Sequence, residues 1–379
     1  MKKTILLLCL LLCPLFTGAQ NLRFSETCST SNPLVTLSFV GDILVHKMLY
    51  QNVNQTTKRF SSIWERTDDL IRKADFSVAN LEGPAALGID KNGRDRGDVG
   101  FVYDDDVYSG TNFRFNYHPR ILSDLQSSGY DLIGLSNNHS LDRGSLGIDR
   151  TLEAAQKINL SMVGIRHSQE RNAELYSIQK VQGLRLAFLA CTESTNGYRD
   201  AKDQLLLCYK QEEKVIQIIR ELAKRTDVDG VIVMPHWGVE YKNEPNNNQK
   251  SYAKKFLEAG ALAIVGSHPH VLQPWEKYVT STGRETVIMY SLGNFVAGQK
   301  DISRKTGVVT YLGLGKGSNG KARIIGVGYT PTYRNGYTLA PIGAKDSPAI
   351  LKHAAKFFGT ASRVEPNGQL RSTLCSKVQ

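Results

Sequence analysis

The sequence predicts an α/β protein with a largely layered sheet, and two observations support this fold class. From Val35 onwards, short apolar runs typical of strands alternate with amphipathic runs typical of helices. The apolar runs repeatedly end in clusters of polar residues, as strands do where they reach the edge of an α/β sheet. A chain of 379 residues can form one large domain or two ordinary ones.

The first 19 residues are predicted to be a secretory signal peptide. Lys2 and Lys3 precede the apolar run ILLLCLLLCPLF, and small residues close that run before Gln20. The run is shorter than the roughly 20 apolar residues that a membrane-spanning helix needs. We therefore expect cleavage near Ala19 and export to the periplasm or the cell exterior.

Strand-like and helix-like segments then follow one another in order. The strands are predicted from short apolar runs, namely VTLSFVGD, FSVANLE, DLIGLSNNH, LRLAFLAC, VDGVIVMPHWG, LAIVGSHPH and TVIMYSLGNF. The helices between them are SIWERTDDLIRKA, RILSDLQSSG, SLGIDRTLEAAQKI, KVIQIIRELAKR and QKSYAKKFLEAGA. Gly260, in the last of these, suits a left-handed helix end.

Two regions depart from this alternation. Residues 87–118 are polar and rich in glycine, which predicts a surface loop near the site. Beyond residue 300, the runs GVVTYLGLGKG, KARIIGVGYTP and YTLAPIGA look like short strands with glycine and asparagine turns. Because no Pro/Ser-rich linker intervenes, we expect residues 301–379 to add antiparallel strands and a helix to the domain formed by residues 33–300.

The charge balance is basic. Lys and Arg number 47 against 36 Asp and Glu, a net charge of +11 that becomes +9 once Lys2 and Lys3 are removed. Such a balance is typical of a solvated basic surface, and it also favours polyanions such as phosphorylated glycans, acidic polymers or nucleic acid.

Four cysteines remain after cleavage, namely Cys28, Cys191, Cys208 and Cys375. In an oxidising compartment they can form two disulfides. Pairing Cys28 with Cys375 and Cys191 with Cys208 is one of three possible connectivities. None of the four has the spacing of a zinc knuckle.

Polar clusters at the ends of the predicted strands indicate a site at one sheet edge. They are Gly41-Asp42, Asn80-Leu81-Glu82, Asn137-Asn138-His139, His236-Trp237-Gly238, Ser267-His268-Pro269-His270 and Gly293-Asn294. The carboxyl ends of strands in an α/β sheet converge on one edge, where ligands bind. Five of the eight histidines fall within or just after these clusters, so a shared role is indicated.

The residue types point to a pair of divalent metal ions. Carboxylates such as Asp42 and Glu82 suit harder ions, whereas imidazoles suit zinc, manganese or iron. Glu82 has two oxygens and can bridge such a pair. Two metals roughly 3.5 to 4 Å apart can hold a hydroxide nucleophile and clamp a phosphoryl oxygen.

Each cluster taken alone also has a plain structural interpretation. Gly41-Asp42 reads as a turn, and His236 reads as a hydrogen-bonded histidine of the core. His268 and His270 carry more weight, because two imidazoles flanking a rigid proline at a strand end have little reason to pack there. The metal hypothesis therefore rests on the ordered set.

That ordered set resembles a known family. The motifs GDILVHK, ANLEGP, LSNNHSLDRG, MPHWGVEY, GSHPHVLQPWE and YSLGNF, between Val35 and about Phe295, resemble the CapA family of PgsA-type proteins of poly-gamma-glutamate capsule biosynthesis. The family looks like a branch of the calcineurin-like metallophosphoesterase superfamily. The resemblance implies a four-layer α/β/β/α sandwich with mixed sheets.

The resemblance also implies roles for the site residues. The implied metal ligands are Asp42 and His270 for the first ion, Glu82 as the bridge, and Asn138, His236 and His268 for the second ion. His139 would face the substrate, as a donor to a phosphoryl oxygen or as a general acid, and Asp142 would orient it.

Two positions depart from the superfamily pattern. Its first motif is Asp-x-His, but here the nearest histidine after Asp42 is His46, four positions on. His46 is therefore open to three interpretations: a ligand, a phosphate contact or a bystander. Glu82 stands where the superfamily usually has Asp, which lengthens the bridging arm.

Two functions follow from this reading. The first is an exported factor of capsule or poly-gamma-glutamate-type polymer synthesis, with an anionic polymer and capsule-synthesis membrane proteins as partners. The alternative is a metal-dependent phosphoester hydrolase, a phosphatase or phosphodiesterase, acting on phosphorylated envelope substrates. A nucleotidase or nuclease ranks below both, and no nucleic-acid partner is expected, because no aromatic stacking motif supports one.

Overall fold

The computed structural model describes residues 21–29, 34–111 and 114–375 of the chain. The predicted signal peptide, residues 1–19, lies outside these ranges. Within them, no helix has the length and apolar character needed to cross a membrane.

Strands and helices alternate along the described chain. The strands are β1 (Val35–Ile43), β2 (Phe76–Leu81), β3 (Ser109–Thr111), β4 (Arg114–Asn116), β5 (Leu132–Gly134), β6 (Ser161–Val163), β7 (Tyr176–Val181), β8 (Leu184–Thr192), β9 (Gly230–His236), β10 (Ala263–Val265), β11 (Leu272–Val279), β12 (Glu285–Leu292), β13 (Asn294–Val296), β14 (Thr306–Lys316), β15 (Ala322–Asn335) and β16 (Thr338–Pro341). The α-helices are α1 (Lys47–Gln55), α2 (Asp68–Ile71), α3 (Arg120–Ser128), α4 (Gly144–Lys157), α5 (Glu212–Lys224), α6 (Asn247–Ala259), α7 (Ile302–Lys305), α8 (Pro348–Phe358) and α9 (Leu370–Leu374).

Most of the strands form two mixed sheets. The first has the order β16-β15-β14-β1-β2-β5-β6, with β13 pairing beside β1. Strands β1, β2, β5 and β6 are parallel, and β14 to β16 are antiparallel additions. The second has the order β11-β12-β10-β9-β8-β7, in which only the edge strands β11 and β7 are antiparallel to their neighbours.

Consecutive side chains of the central strands pack on opposite faces of the sheet, in different apolar layers. Val78 of β2 and Leu132 of β5 pack between the two sheets, whereas the next residues, Ala79 and Ile133, pack beneath the helices. This follows from the alternation of side chains along a strand, and it explains why strands buried on both faces are apolar throughout.

Helices cover the outer face of each sheet. Buried residues of α1, α3 and α4 pack on the first sheet, and those of α5 and α6 pack on the second. The order helix, sheet, sheet, helix confirms the predicted four-layer α/β/β/α sandwich. Helix α6 begins at a capping box of Asn246 and Gln249 and ends at Gly260, whose φ of 131° is positive as expected.

The predicted helix over residues 62–74 is wrong for most of its length. The chain forms two short 3-10 helices, Phe60–Ile63 and Glu65–Thr67, and only then the four residues of α2. The carboxylate of Asp124 accepts the N–H of Phe60 at 2.5 Å, and the Thr67 hydroxyl donates to the Trp64 carbonyl at 2.7 Å. A continuous helix would pair the Trp64 carbonyl with the N–H of Asp68, but this carbonyl instead accepts the N–H of Thr67 at 2.8 Å.

Residues 87–118 are more than a surface loop. They carry the β3–β4 hairpin, and the side chains of Tyr108, Phe115 and Tyr117 are buried. The Asn116 amide donates to three backbone carbonyls, among them that of Ala86 at 2.9 Å. The hairpin is therefore anchored against the body of the domain.

Of the predicted strands beyond residue 300, β14 has the length of its predicted run, β15 is longer than its run and β16 is shorter. β14 has 11 residues and β15 has 14, and their antiparallel pairing continues the first sheet from β1. Disulfides join Cys28 to Cys375 and Cys191 to Cys208, which is the pairing named among the three possibilities.

Candidate functional site

The strand ends bring all six predicted ligand residues to one edge of the sandwich. Asp42 lies near the end of β1, Glu82 directly follows β2, and His236 is the last residue of β9. Asn138 lies in the loop after β5, and His268 and His270 lie in the loop after β10. Each sheet therefore supplies part of the cluster.

A close approach of two glycines shapes this edge. A Cβ on Gly41 would lie 1.8 Å from the carbonyl oxygen of Gly293. Because Gly41 has none, the Gly293 carbonyl can accept the N–H of Asp42 at 3.0 Å. Asn294 is thereby paired in register with Asp42.

The acidic and imidazole side chains form two groups that share one member. Glu82, His236 and His268 make one group, and Asp42, Glu82 and His270 make the other. Within each group the potential ligand atoms lie within 4.8 Å of one another. Glu82 therefore stands between two positions, as a bridging carboxylate would.

Individual distances connect the two groups. His270 Nδ1 lies 3.2 Å from Asp42 Oδ2, and His270 Nε2 lies 3.8 Å from Glu82 Oε1. His236 Nε2 lies 3.5 Å from Glu82 Oε1 and 3.1 Å from His268 Nδ1. The sixth residue, Asn138, places its Oδ1 2.8 Å from His236 Nε2.

The carboxylate of Glu82 has an unusual environment. The side chain is fully buried, and neither of its oxygens has a hydrogen-bond partner. A buried carboxylate without partners is costly unless a cation accompanies it. With imidazole and carboxylate donors on both sides, the residues present fit a pair of borderline divalent ions.

Burial and charge shift the pKa values of these residues in different directions. Burial raises the pKa of Glu82 to about 8. Burial opposes the charged form of His270, but the carboxylates of Glu82 and Asp42 outweigh it and raise its pKa to about 9. Burial lowers the pKa of both His236 and His268 to about 3, so these imidazoles are neutral, the form that binds metals.

Polar residues outside the two ligand groups orient the imidazoles and the Asp42 carboxylate through hydrogen bonds. His236 Nδ1 lies 2.9 Å from Ser267 Oγ, which leaves Nε2 toward Glu82. His270 Nδ1 lies 3.0 Å from Asn294 Oδ1. The Asn80 amide donates to Asp42 Oδ1 at 2.9 Å. Outer partners of this kind fix the rings and carboxylates of metal sites.

His139 and Asp142 form a buried pair beside the ligand groups. His139 Nδ1 lies 2.7 Å from Asp142 Oδ2, which also accepts the N–H of Phe115 at 2.7 Å. Burial opposes the charged form of His139, but Asp142 outweighs it and raises the pKa of the imidazole. Asp142 thus holds His139 by one nitrogen and leaves Nε2 for another partner.

His46 lies beside the cleft but outside both ligand groups. Its Nδ1 is 3.0 Å from the N–H of Gly298, and its ring packs edge-on against Phe115 at 5.4 Å between centroids. Burial lowers the pKa of His46 to about 4, so the ring is neutral. Of the three interpretations left open, that of a ligand has no support in this geometry.

Three residues around the cleft have strained backbone conformations. Eight non-glycine residues of the described chain have positive φ, and among them are His268 at 99°, His270 at 58° and Tyr241 at 64°. Such conformations cost free energy and persist where surrounding contacts impose them, commonly at functional sites. The two histidines around Pro269 are thus held in place by their context.

Sequence reasoning left several residues of the cleft without a role. Asn80 and Asn294 stood in the strand-end clusters, and that position was the available signal. Phe115 and Asn196 gave no such signal, because they reach the site from the hairpin and from the loop after β8. Their parts in the site depend on contacts distant in sequence.

Comparisons with known proteins agree on a family. The family model described as bacterial capsule synthesis protein PGA_cap matches residues 36–299. PGA biosynthesis protein CapA of Bacillus subtilis (strain 168) is 32% identical over 339 residues, which cover 88% of this chain and 81% of that protein. Capsule biosynthesis protein CapA of Bacillus anthracis is 28% identical over 271 residues, covering 71% of this chain and 61% of that protein.

Solved structures resemble the chain more distantly. The Haemophilus influenzae NAD nucleotidase (NadN) aligns with a TM-score of 0.49 and 14% identity, covering 88% of this chain and 57% of that chain. A putative 5'-nucleotidase from Staphylococcus aureus aligns with a TM-score of 0.44 and 13% identity, covering 83% and 55%. Similarity at this level does not carry a substrate over to this chain.

Proposed function

The chain belongs to the bacterial capsule synthesis protein family PGA_cap, and on that premise we propose that it acts outside the cytoplasm in the synthesis of an anionic, poly-gamma-glutamate-type polymer. In this proposal the cleft binds two divalent ions, manganese, zinc or iron. The signal-peptide pattern and the two disulfides support export, since disulfides persist in oxidising compartments. The net charge of +9 that remains once Lys2 and Lys3 are removed from the full chain's +11 suits an acidic polymer as partner.

The observation that carries the metal proposal is the unpartnered carboxylate of Glu82, buried between two ligand groups. Asp42, Glu82 and His270 would hold one ion, and Glu82, Asn138, His236 and His268 would hold the other. When bound, such a pair supplies positive charge that clamps an anionic oxygen and lowers the pKa of a water.

The protein residues around this position have chemical roles of their own. Asp142 holds His139 by Nδ1, so that Nε2 is the nitrogen free to donate a proton to an oxygen of the substrate. Ser267 and Asn294 keep His236 and His270 from rotating. Phe115 packs edge-on against His139 at 4.8 Å between centroids and limits the access of water to that ring.

A second candidate function is phosphoester hydrolysis on an envelope substrate, and the His139–Asp142 pair favours it. A site that only binds a polymer has no need of a buried imidazole oriented by a carboxylate. In this alternative, His139 would protonate the leaving oxygen while the ligand groups hold the phosphoryl group.

Metal analysis tests the shared part of both functions. The mature chain, purified with added manganese, zinc or iron, is expected to retain roughly two ions per chain. His236→Ala and His268→Ala should lose at least one ion while remaining folded, and His353→Ala, a histidine outside both groups, should retain both. Metal-free wild type after supplementation would contradict the proposal.

Turnover and polymer binding separate the two functions. Metal-loaded protein is incubated with a panel of phosphomonoesters and phosphodiesters, and binding to poly-gamma-glutamate is followed at increasing salt. Metal-dependent cleavage that falls on the order of 10²–10⁴-fold in His139→Gln indicates the hydrolase. Salt-sensitive polymer binding that survives His236→Ala, with no cleavage of the panel, indicates the polymer-synthesis factor.

A further inference from the structure

A loop closed by a disulfide lies beside the ligand group of Glu82, His236 and His268. Cys191, near the end of β8, is bonded to Cys208, and residues 191–208 are called the disulfide loop from here on. The N–H of Thr192 donates to the Leu206 carbonyl at 2.9 Å, and the N–H of Cys208 donates to the Thr192 carbonyl at 2.8 Å. The two ends of the loop are therefore held together by covalent and hydrogen bonds.

The root of the disulfide loop is fastened to the strand that carries His236. The N–H of Glu193 donates to the His236 carbonyl at 2.8 Å, and Glu193 Oε2 accepts the N–H of Gly238 at 2.8 Å. Residues 192–194, together with Asn138, His236 and His268, line a cavity of about 210 Å³. The loop thus forms one wall of the cleft.

The tip of the disulfide loop is a tight turn at Asn196 and Gly197. Their φ values are 50° and 82°, in the left-handed region that asparagine and glycine tolerate best. The N–H of Tyr198 donates to the Thr195 carbonyl at 2.9 Å, and the Arg114 guanidinium lies 5.6 Å from the centre of the Tyr198 ring. The turn is therefore held from inside the loop and from the β3–β4 hairpin.

This turn brings Asn196 to one of the proposed ligands. Asn138 Nδ2 donates to Asn196 Oδ1 at 3.2 Å, while Asn138 Oδ1 lies 2.8 Å from His236 Nε2. The two ends of an amide are alike in shape but opposite in hydrogen bonding, and only the oxygen has a lone pair that can bind a cation. A hydrogen-bond acceptor beside Nδ2 of Asn138 therefore fixes Oδ1 as the atom that faces the ligand group.

We infer that Asn196 is a positioning residue, presented by the disulfide loop, that turns the amide oxygen of Asn138 toward the second metal position. This inference rests on the proposed function, because it concerns the same two-metal cleft. A residue that merely contacts substrate would change substrate affinity and leave metal affinity alone, so metal affinity is the informative readout.

The test compares metal affinities of variants of the mature chain by calorimetric titration with Mn²⁺ or Zn²⁺. Asn196→Gly removes the side chain and keeps the positive φ, so the turn is preserved. The expected result is that the affinity for the ion held by Asn138, His236 and His268 weakens by about 10–100-fold, the usual effect of losing a hydrogen-bond partner of a ligand. The affinity for the ion held by Asp42 and His270 should not change. Asn196→Asp, which still offers an acceptor oxygen, should restore most of the affinity.

Arg199→Ala, an exposed change in the same loop, is the matched control and should bind as wild type does. Two ions bound with wild-type affinity by Asn196→Gly would overturn the inference and leave the proposed function standing. A wild-type chain that binds no metal would overturn both. A loss that Asn196→Asp fails to reverse would also overturn it, since the acceptor oxygen is the feature in question.

Discussion

At the scale of single residues, the ionised form of Glu82 requires a positive partner that the protein itself only partly supplies. His270 Nε2 lies 3.8 Å from Glu82 Oε1, yet both oxygens of Glu82 lack a hydrogen bond. Removing an ion from water costs several kcal/mol unless attraction and hydrogen bonds offset it. A cation bound between the two ligand groups would provide that offset.

Glu82→Gln keeps the size of the side chain and removes its charge. We expect metal content to fall from about two ions per chain to one or none, because the shared ligand of both groups is lost. The metal-free variant should be at least as stable as metal-free wild type in chemical denaturation, since an unpartnered buried carboxylate has been removed. Glu240→Gln, a partly exposed carboxylate near the cleft, is the control and should retain both ions.

Most of the residues that the structure gathers into the two groups were predictable, because their signal is local. Asp42, His236 and His268 each follow an apolar run, and strand ends converge for topological reasons. Asn196 was not predictable, because its role depends on a loop that returns to the site from the second sheet. His46 is the opposite case. Its position close to Asp42 in the sequence suggested a role in the site, but it lies outside both groups.

At the scale of elements, β1 delivers Asp42 only because it can approach Gly293. We expect Gly41→Ala to lower the free energy of unfolding by about 1–3 kcal/mol or more, because the new Cβ would meet a backbone oxygen that cannot move aside cheaply. Metal affinity should fall as well, since Asp42 and Asn294 lose their register. Urea denaturation and metal titration measure the two effects.

Gly134→Ala in β5 is the matched control for this prediction. Gly134 is also a buried strand glycine, but its nearest neighbour would be the flexible end of Met234 at 3.3 Å. We expect a smaller loss of stability there and unchanged metal content. Equal effects of the two substitutions would contradict the role given to the approach of Gly41 and Gly293.

Elements whose local sequence signals agree were predictable, and elements that depend on other contacts were not. Helix α6 and strand β9 were visible because periodicity, capping residues and apolar character agree. The helix expected over residues 62–74 is interrupted because the Trp64 carbonyl accepts the N–H and the hydroxyl of Thr67 rather than the N–H of Asp68. Trp64 is also held from outside this segment, since its Nε1–H donates to Ser128 Oγ at 2.9 Å, so contacts distant in sequence act where the local pattern alone predicts a continuous helix.

At the scale of the whole molecule, the Cys28–Cys375 disulfide connects parts of both sheets. The N-terminal segment bonds to the second sheet, where Glu285 Oε2 accepts the N–H of Ser25 at 2.7 Å. Cys375 directly follows α9, which packs on β14 and β15 of the first sheet. The disulfide therefore ties the ends of the chain across the sandwich.

The double variant Cys28→Ala/Cys375→Ala is expected to lose about 2–5 kcal/mol of unfolding free energy, since the bridge closes a very long loop of the unfolded chain. Its metal content should equal that of wild type, because α9 lies outside the ligand groups. Loss of metal together with stability would contradict the separation of this disulfide from the cleft. Denaturation and elemental analysis of the same preparation give both answers.

The α/β class was predictable from the order of apolar and amphipathic runs along the chain, whereas the sandwich of two sheets was implied by the family resemblance. β14 has the 11 residues of its predicted run, but β15, with 14 residues, extends beyond its run. The additional residues 332–335 pair with β16, and Thr332 and Tyr333 also pair with β14.

The central claim is that Glu82 bridges two divalent ions at the edge where both sheets end. Crystals of the mature chain grown with Mn²⁺ or Zn²⁺, and measured at the absorption edge of that metal, test it most directly. We predict two anomalous peaks roughly 3.5 to 4 Å apart, with Glu82 between them and with Asp42 and His270 on one side and His236 and His268 on the other. A single peak away from Glu82, or none at saturating metal, would contradict the account.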